Sequence, residues 1–338
     1  MKRIYLDNAS SVPIERHVLK AIKPYLTNIY GNPSSLHREG KEASMAIENA
    51  RERVASLLNC KTTEIFFISG ASEANSWIAK TYNCTVSANS HTSMQLAKRK
   101  NPKKKSIIAM SLVNSETGIY ADLEEITKPL YLDATQAIAH FEVDIQELNE
   151  EANGQLIALS FSGHKLGAPK GIGVMYIKED VQSDFVPLIY GKQERGLRGG
   201  TENVAGIIGI AKALEIKNKN NIKNAKKMLR LIDILRKGMS NLPLEKCTYN
   251  AGVCNITFNT LHAQTAVTIF DEYGVAISAG SACDSRTDIP SESLILSGYT
   301  PRQALRTVRI SLGTQTTKWE VKKFLKILKE VIDNFDNL

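Results

Sequence analysis

The chain has 338 residues, a formal net charge of +8 and 43% hydrophobic residues, enough apolar material for one large or two smaller domains. No apolar run is long enough to span a bilayer, and the opening MKRIYLDNAS has no apolar signal core, so the chain reads as cytoplasmic. The five cysteines, Cys60, Cys84, Cys247, Cys254 and Cys283, form no CxxC and no metal-ligand spacing, which argues against a disulfide framework and against a structural metal site.

Residues 40–58 place Ala43, Ile47, Ala50, Val54 and Leu57 on one helical face. Ile65 to Ile68 reads as a short strand running into SGASEAN and a second helical stretch. Basic residues cluster from Lys98 to Lys105 around Pro102. Further strand candidates are Ile107 to Val113, Leu130 to Leu132, Leu156 to Phe161 and Val174 to Ile177. Apolar runs separated by helices or loops predict an α/β layer with a mainly parallel sheet. From about residue 222 the texture changes. A long amphipathic helix (Ile222, Ala225, Leu229, Ile232, Leu235) leads to strands around Ile256 and Ala276 and a final helix from Trp319 to Phe335. The division predicted is a large domain over 16–221 and a smaller α+β domain over 1–15 and 222–338. A second basic set, Lys217 to Arg230, sits on the helical pattern, and neither set contains aromatic residues. Both read as solvated faces, which argues against direct nucleic acid binding.

Ligands of open α/β sheets gather where strands end. Ser69, Gly70, Ala71 and Ser72 follow a strand and precede a helix, which offers backbone N–H groups and a helix N-terminus to an anion such as phosphate. Asp133 closes the strand YLD, and His164 and Lys165 follow the strand ending at Phe161. Singly, these are a helix cap, a strand-end cap and a surface lysine. Together they suit pyridoxal phosphate (PLP): a cup for the phosphate, a carboxylate to keep the pyridine nitrogen protonated, and a lysine to form a Schiff base with the aldehyde. The small residues around Lys165 leave room for a flat ring.

At this point the sequence resembles the cysteine desulfurases of the NifS/IscS type, in the class V group of fold-type I PLP enzymes. The resemblance runs in order through YLDNASSVP (5–13), GNPSSLH (31–37), FISGASEAN (67–75), VNSETG (113–118), LDATQA (132–137), SFSGHKLGAPKGIG (160–173), QERGLRGGTENV (193–204), SAGSACDS (278–285) and VRISLG (308–313). It implies the fold-type I PLP-transferase fold, with a mainly parallel seven-stranded sheet in the large domain. It implies that Lys165 carries PLP, that Asp133 pairs with the pyridinium nitrogen and that Gln136 lies near the ring oxygen. Ala71, Ser72, Ser162 and His164 would hold the phosphate. Thr201 would reach the phosphate of the neighbouring subunit in a homodimer. His91 would stack on the ring and help to move protons, and Arg309 would clamp the substrate carboxylate as a planar fork. In VNSETG, Asn114 would contact substrate and Ser115 the cofactor, a serine standing where the family carries a second asparagine.

Cys283 lies in an all-small stretch, SAGSAC, and the resemblance makes it the nucleophile. Its thiolate would take sulfur from L-cysteine as a persulfide, alanine would leave, and the sulfur would pass to an acceptor protein, an iron–sulfur scaffold or a tRNA-thiolating enzyme. No metal is implied. The alternatives are a selenocysteine lyase or other class V lyase or aminotransferase, and a non-catalytic binding protein that retains the fold. Other departures from the family are Ser11 and Val12 for a threonine pair, Lys192 in the lead into QE, a short segment between His91 and Asn114, and an early C-terminus.

Overall fold

A computed structural model describes residues 3–88, 90–97, 103–280 and 289–336. The chain divides into two compact units. One comprises Val12–Val113 and Ala121–Asn220, and the other Met1–Ser11, Asn114–Tyr120 and Asn221–Leu338.

The first unit is built on a sheet of β1 (Ile65–Ile68), β2 (Asn83–Val86), β3 (Ser106–Ser111), β4 (Leu130–Asp133), β5 (Leu156–Ser162) and β6 (Gly173–Ile177), in the order β1-β6-β5-β4-β3-β2. β2 to β5 are parallel to one another, and β6 runs antiparallel to both β5 and β1. All strands but β6 therefore point one way, and the mainly parallel sheet expected from the sequence is present. Its strand count is six among the described residues, not seven. Only nineteen residues separate Val86 from Ser106, and six of them form the helix Thr92–Ala97. The connection has no length for a further helix and strand. β4 and β5 are buried throughout, as central strands covered on both faces must be, and this is why they read as continuous apolar runs. The edge strand β2 (NCTV) is half-exposed and has no such run.

Helix α1 (Arg38–Leu57) starts where the His37 side chain accepts from Gly40 N, and it buries Ala43, Ile47, Ala50 and Val54. Arg51 lies on the same buried face. Both its terminal nitrogens donate to Glu194, at 2.8 Å each, and Glu194 also accepts from Phe67 N at 2.9 Å. Helix α2 (Ala71–Thr81) buries Ala71, Ala74, Asn75, Trp77 and Ile78. Thr92–Ala97 is α3, and α4 (Val204–Lys219) packs along α1.

The second unit contains an antiparallel sheet of β7 (Lys246–Asn250), β8 (Val253–Thr257), β9 (Ser278–Ala279) and β10 (Thr307–Ser311), ordered β9-β10-β8-β7. Helices α5 (Asn221–Met239), α6 (Ala263–Glu272) and α7 (Lys318–Val331) contribute to its core with Leu231, Leu235, Phe270 and Phe324. The apolar face expected on α5 is wrong in its first half. Ile222 is 72% and Leu229 67% exposed, while Leu231, Leu235 and Met239 are buried. Two overlapping stripes are possible in this helix, and the core selects the one ending at Met239. Residues 114–120 pack with this unit because Asn250 and Asn255 donate their amides to the carbonyls of Thr117 and Glu116, both at 3.0 Å. Among the described residues no helix is long and apolar enough to cross a membrane.

Candidate active site

The C-terminal ends of β1, β4 and β5 lie on one edge of the large sheet, and the expected cofactor residues of that unit follow them. Gly70 adopts φ 157° and ψ 174°, a region open to glycine alone, and turns β1 into α2. Ala71 N donates to Ser162 Oγ at 2.9 Å, tying the helix start to the end of β5. Ser69 N donates to Glu73, which pairs with Arg198 at 3.0 Å. Ser72 is exposed at the first turn, and its N–H has no acceptor among the described residues. This is a helix N-terminus with a donor to offer an anion.

Lys165 ends the tight turn Gly163–Lys165. Gly163 N bonds Ile172 O, and Leu166 N and Ala168 N return to Gly163 O. A Cβ on Gly163 would press on Ala168, Ile210 and Ile172 at 3.0–3.2 Å. The small residues thus keep the turn packed against α4 while Lys165 stays half-buried at its end. His164 is pushed down to about 4 by burial and by the nearby Lys165, Lys170 and His91. His140 falls to about 4 through burial, Lys217 and Lys165. Both rings are neutral at pH 7.

Asp133 is 4% exposed. Its carboxylate accepts from Thr135 N at 3.0 Å and Asn75 Nδ2 at 3.2 Å, and it has no ion pair among the described residues. Gln136 is buried with its Oε1 unpartnered, its other terminal atom lying 3.3 Å from His140 Nε2. His91 opens α3, with its Nδ1 2.8 Å from Ser93 Oγ and accepting from Ser93 N at 3.1 Å.

These residues fit PLP. A buried carboxylate without a cation suits a pyridinium, the orphaned amide atom of Gln136 suits a ring oxygen, and the start of α2 suits a phosphate. Thr201 lies on an exposed loop ahead of α4.

In the second unit, Arg309 on β10 is 2% exposed. It donates to Asp7 Oδ1 and Ser10 Oγ at 2.8 Å and to the Ser115 carbonyl at 2.9 Å, and its Nε is buried without a partner. Asn114 uses its amide oxygen to accept from Glu116 N, Thr117 N and Thr117 Oγ1, and donates to Ser293 Oγ at 3.0 Å. That side chain holds the 114–120 loop in shape. Cys283 lies outside the described residues.

Comparison with known proteins bears on these features together. The sequence pattern of the family "Aminotransferase class-V" matches residues 4–92 and 83–324. The chain is 30% identical to the cysteine desulfurase IscS of Methanosarcina thermophila over 100% of its own length and 94% of the relative's. The chain belongs to the class-V aminotransferases, in their cysteine desulfurase branch. A solved NifS-like protein superposes with a TM-score of 0.87 at 28% identity, covering 98% of this chain and 99% of that one. A structure titled "SspA in complex with cysteine" superposes at 0.72 and 28% identity, over 93% and 100%. Class-V enzymes of this branch are PLP-dependent, which accords with the fit of the large-unit residues.

The sequence reading of this class-V chain missed Asn75, Ser93 and His140. Asn75 sits at a core-facing position of α2, where the apolar rhythm Ala71, Ala74, Ile78 leaves a polar side chain needing partners. That was the available signal. The described cysteines are poor thiolates. Burial pushes Cys60 up to about 12 and Cys84 and Cys247 up to about 11, and raises Cys254 well above the ordinary thiol value.

Proposed function

We propose that this chain converts L-cysteine to L-alanine and stores the sulfur as a persulfide on Cys283, for delivery to an acceptor protein in iron–sulfur cluster assembly or tRNA thiolation. The observation that carries the reading is the buried, cation-free carboxylate of Asp133 on the same sheet edge as Lys165. Bound PLP supplies the electron sink that lets the substrate Cα–H and Cβ–S bonds break. Asp133 holds its negative charge against the ring nitrogen, and the N–H groups at the start of α2, with Ser162 and His164, hold the phosphate. Gln136, whose Oε1 is buried without a partner, would serve the ring oxygen. Lys165, at the end of the Gly163–Lys165 turn, would hold the cofactor, and its amine would move protons at the substrate carbons. His91 would lie against the cofactor and assist that proton transfer. Arg309 clamps the substrate carboxylate, and its unpartnered Nε supports that role. Asn114 keeps its loop in shape for substrate, and Ser115 contacts the cofactor. The Cys283 thiolate attacks the cysteine sulfur: a new S–S bond forms, the Cβ–S bond breaks, its electron pair takes up a proton, and alanine leaves. Atoms balance as cysteine plus thiol giving alanine plus persulfide. The protein acts as a cytoplasmic homodimer in which Thr201 reaches the partner's phosphate.

The test is Lys165→Ala. It abolishes alanine formation and the yellow absorbance of PLP bound to the wild type. A variant that still makes alanine at the wild-type rate overturns the reading.

A further inference from the structure

The residues expected to govern the PLP ring, Asp133 and His91, are joined through one side chain that the sequence did not single out. Asn75 is 1% exposed. Its Nδ2 donates to Asp133 Oδ2 at 3.2 Å and to Ser93 Oγ at 2.8 Å. Its Oδ1 accepts from the Tyr131 hydroxyl at 2.6 Å, and that hydroxyl also lies 2.7 Å from Ser160 Oγ. The orientation of the amide follows from these partners. Reversed, it would set its oxygen against an ionised carboxylate and its nitrogen against a hydroxyl donor. Burial raises the Tyr131 phenol well above its ordinary value, so it remains a donor.

The direction of the chain then continues to His91. Ser93 Oγ receives a hydrogen from Asn75, and His91 Nδ1, 2.8 Å away, is the acceptor for its own hydrogen. Ser93 N–H donates to the same Nδ1 at 3.1 Å. Were Nδ1 protonated, the hydroxyl hydrogen would have no acceptor among the described residues, and one N–H would face another.

We infer that Asn75 is a positioning residue that aims two groups at once, holding Asp133 for the ring nitrogen and setting His91 in the neutral form that carries its proton on Nε2. In this state His91 offers a donor at Nε2, and any proton it gives up leaves from that atom. Its Nδ1 is committed to Ser93 and does not serve as the base. The inference rests on the PLP reading for the use made of Asp133 and His91. The hydrogen-bond chain belongs to the protein alone.

The test reads the imidazole nitrogens of His91 by NMR at about pH 8, above the ordinary histidine range, in full-length protein with and without PLP. His91→Gln identifies the signals. The wild type shows the Nε2–H form in both states, and Ser93→Thr, which keeps the hydroxyl, preserves it. In Asn75→Ala the Ser93 hydroxyl is free to accept as well as donate, and a share of the Nδ1–H form appears. The same variant releases PLP about ten-fold faster, the scale of one lost hydrogen bond to a charged group. Tyr131→Phe keeps the core filled and removes only the hydroxyl that orients Asn75. It moves both readouts in the same direction by less, and it serves if Asn75→Ala does not fold. A wild-type ring protonated on Nδ1, or an Asn75→Ala protein with unchanged His91 signals and unchanged PLP release, overturns the inference. The tautomer of the PLP-free protein is read without turnover, so its result stands apart from whether the chain makes alanine.

Discussion

Gly173 and Gly70 touch backbone to backbone: a Cβ on Gly173 would sit 2.7 Å from Gly70 Cα and 2.8 Å from Phe161 O. Gly173 pairs with Ile68 on one side and Ser162 on the other. It therefore joins the two strand ends that would form the proposed phosphate cup. Gly173→Ala forces those strands apart, at about 1–3 kcal/mol for overpacking. Because the displaced atoms are those of Gly70, just before the start of α2, PLP affinity falls as well. Calorimetry and a PLP titration check both effects, and an alanine variant with wild-type values in both refutes the account.

The Arg51–Glu194 pair is buried, with Phe67 N also donating to Glu194 and Arg51 also reaching the Ile65 carbonyl and the half-exposed Glu48. Breaking such a pair from one side leaves an uncompensated charge, at about 3–5 kcal/mol. Glu194→Ala leaves the buried guanidinium with only the half-exposed Glu48 as counter-ion, and urea unfolding is expected to show a loss toward the lower end of that range. Changing Arg51 to Met as well removes the stranded charge and recovers part of the loss. If the double variant is less stable than Glu194→Ala, the uncompensated charge is not the cause.

The depressed His140 makes stability depend on pH in a definite direction. Its folded value is about 4 against an ordinary 6.5, so between these values the unfolded chain takes up a proton that the folded chain refuses. Stability is full above about 6.5 and declines as the pH falls toward 4, at up to about 1.4 kcal/mol per pH unit. Melting temperatures of PLP-free protein, where Lys165 remains a primary amine, are expected to drop over that window. His140→Gln removes its share of the slope and leaves that of His164, which is depressed to the same value. An equally steep decline in that variant assigns the effect elsewhere.

Which parts of this were legible beforehand follows from physics. The α1 stripe was readable because Ala43, Ile47, Ala50 and Val54 repeat at the helical period on a face with one partner. Asp133 and Lys165 are legible because a charged residue at the end of a fully buried strand, or in the turn just after one, needs a reason. β2 did not stand out, since a half-exposed edge strand has no apolar signature. The place of residues 114–120 could not be read, because it depends on Asn250 and Asn255, more than a hundred residues away. Asn75 and Ser93 become meaningful only when α2 and α3 bring them together.

Arg309 holds Asp7, Ser10 and the Ser115 carbonyl with its two terminal nitrogens. Lysine keeps the charge but offers one nitrogen and no fork. Arg309→Lys is expected to weaken L-cysteine binding by about 1–3 kcal/mol, the scale of a hydrogen bond to a charged group. A spectral titration of the PLP-loaded protein measures it. Unchanged affinity makes the arginine a support for Asp7 and nothing more.

The thiols separate a desulfurase from other class-V chemistry. Sulfur capture needs a thiolate, and burial holds Cys60 near 12 and Cys84 and Cys247 near 11, and raises Cys254 well above its ordinary value. None of the four is an effective nucleophile at neutral pH. Cys283 is the fifth cysteine and sits in the small-residue run SAGSAC. After incubation with L-cysteine, intact-mass and peptide analysis are expected to find one added sulfur, located on Cys283 alone. Cys283→Ser keeps bound PLP and L-cysteine binding, since neither uses the thiol, but loses alanine production because no sulfur acceptor remains. If Cys283→Ser still makes alanine at the wild-type rate, persulfide capture is not the mechanism. If it instead releases pyruvate and sulfide, elimination takes its place.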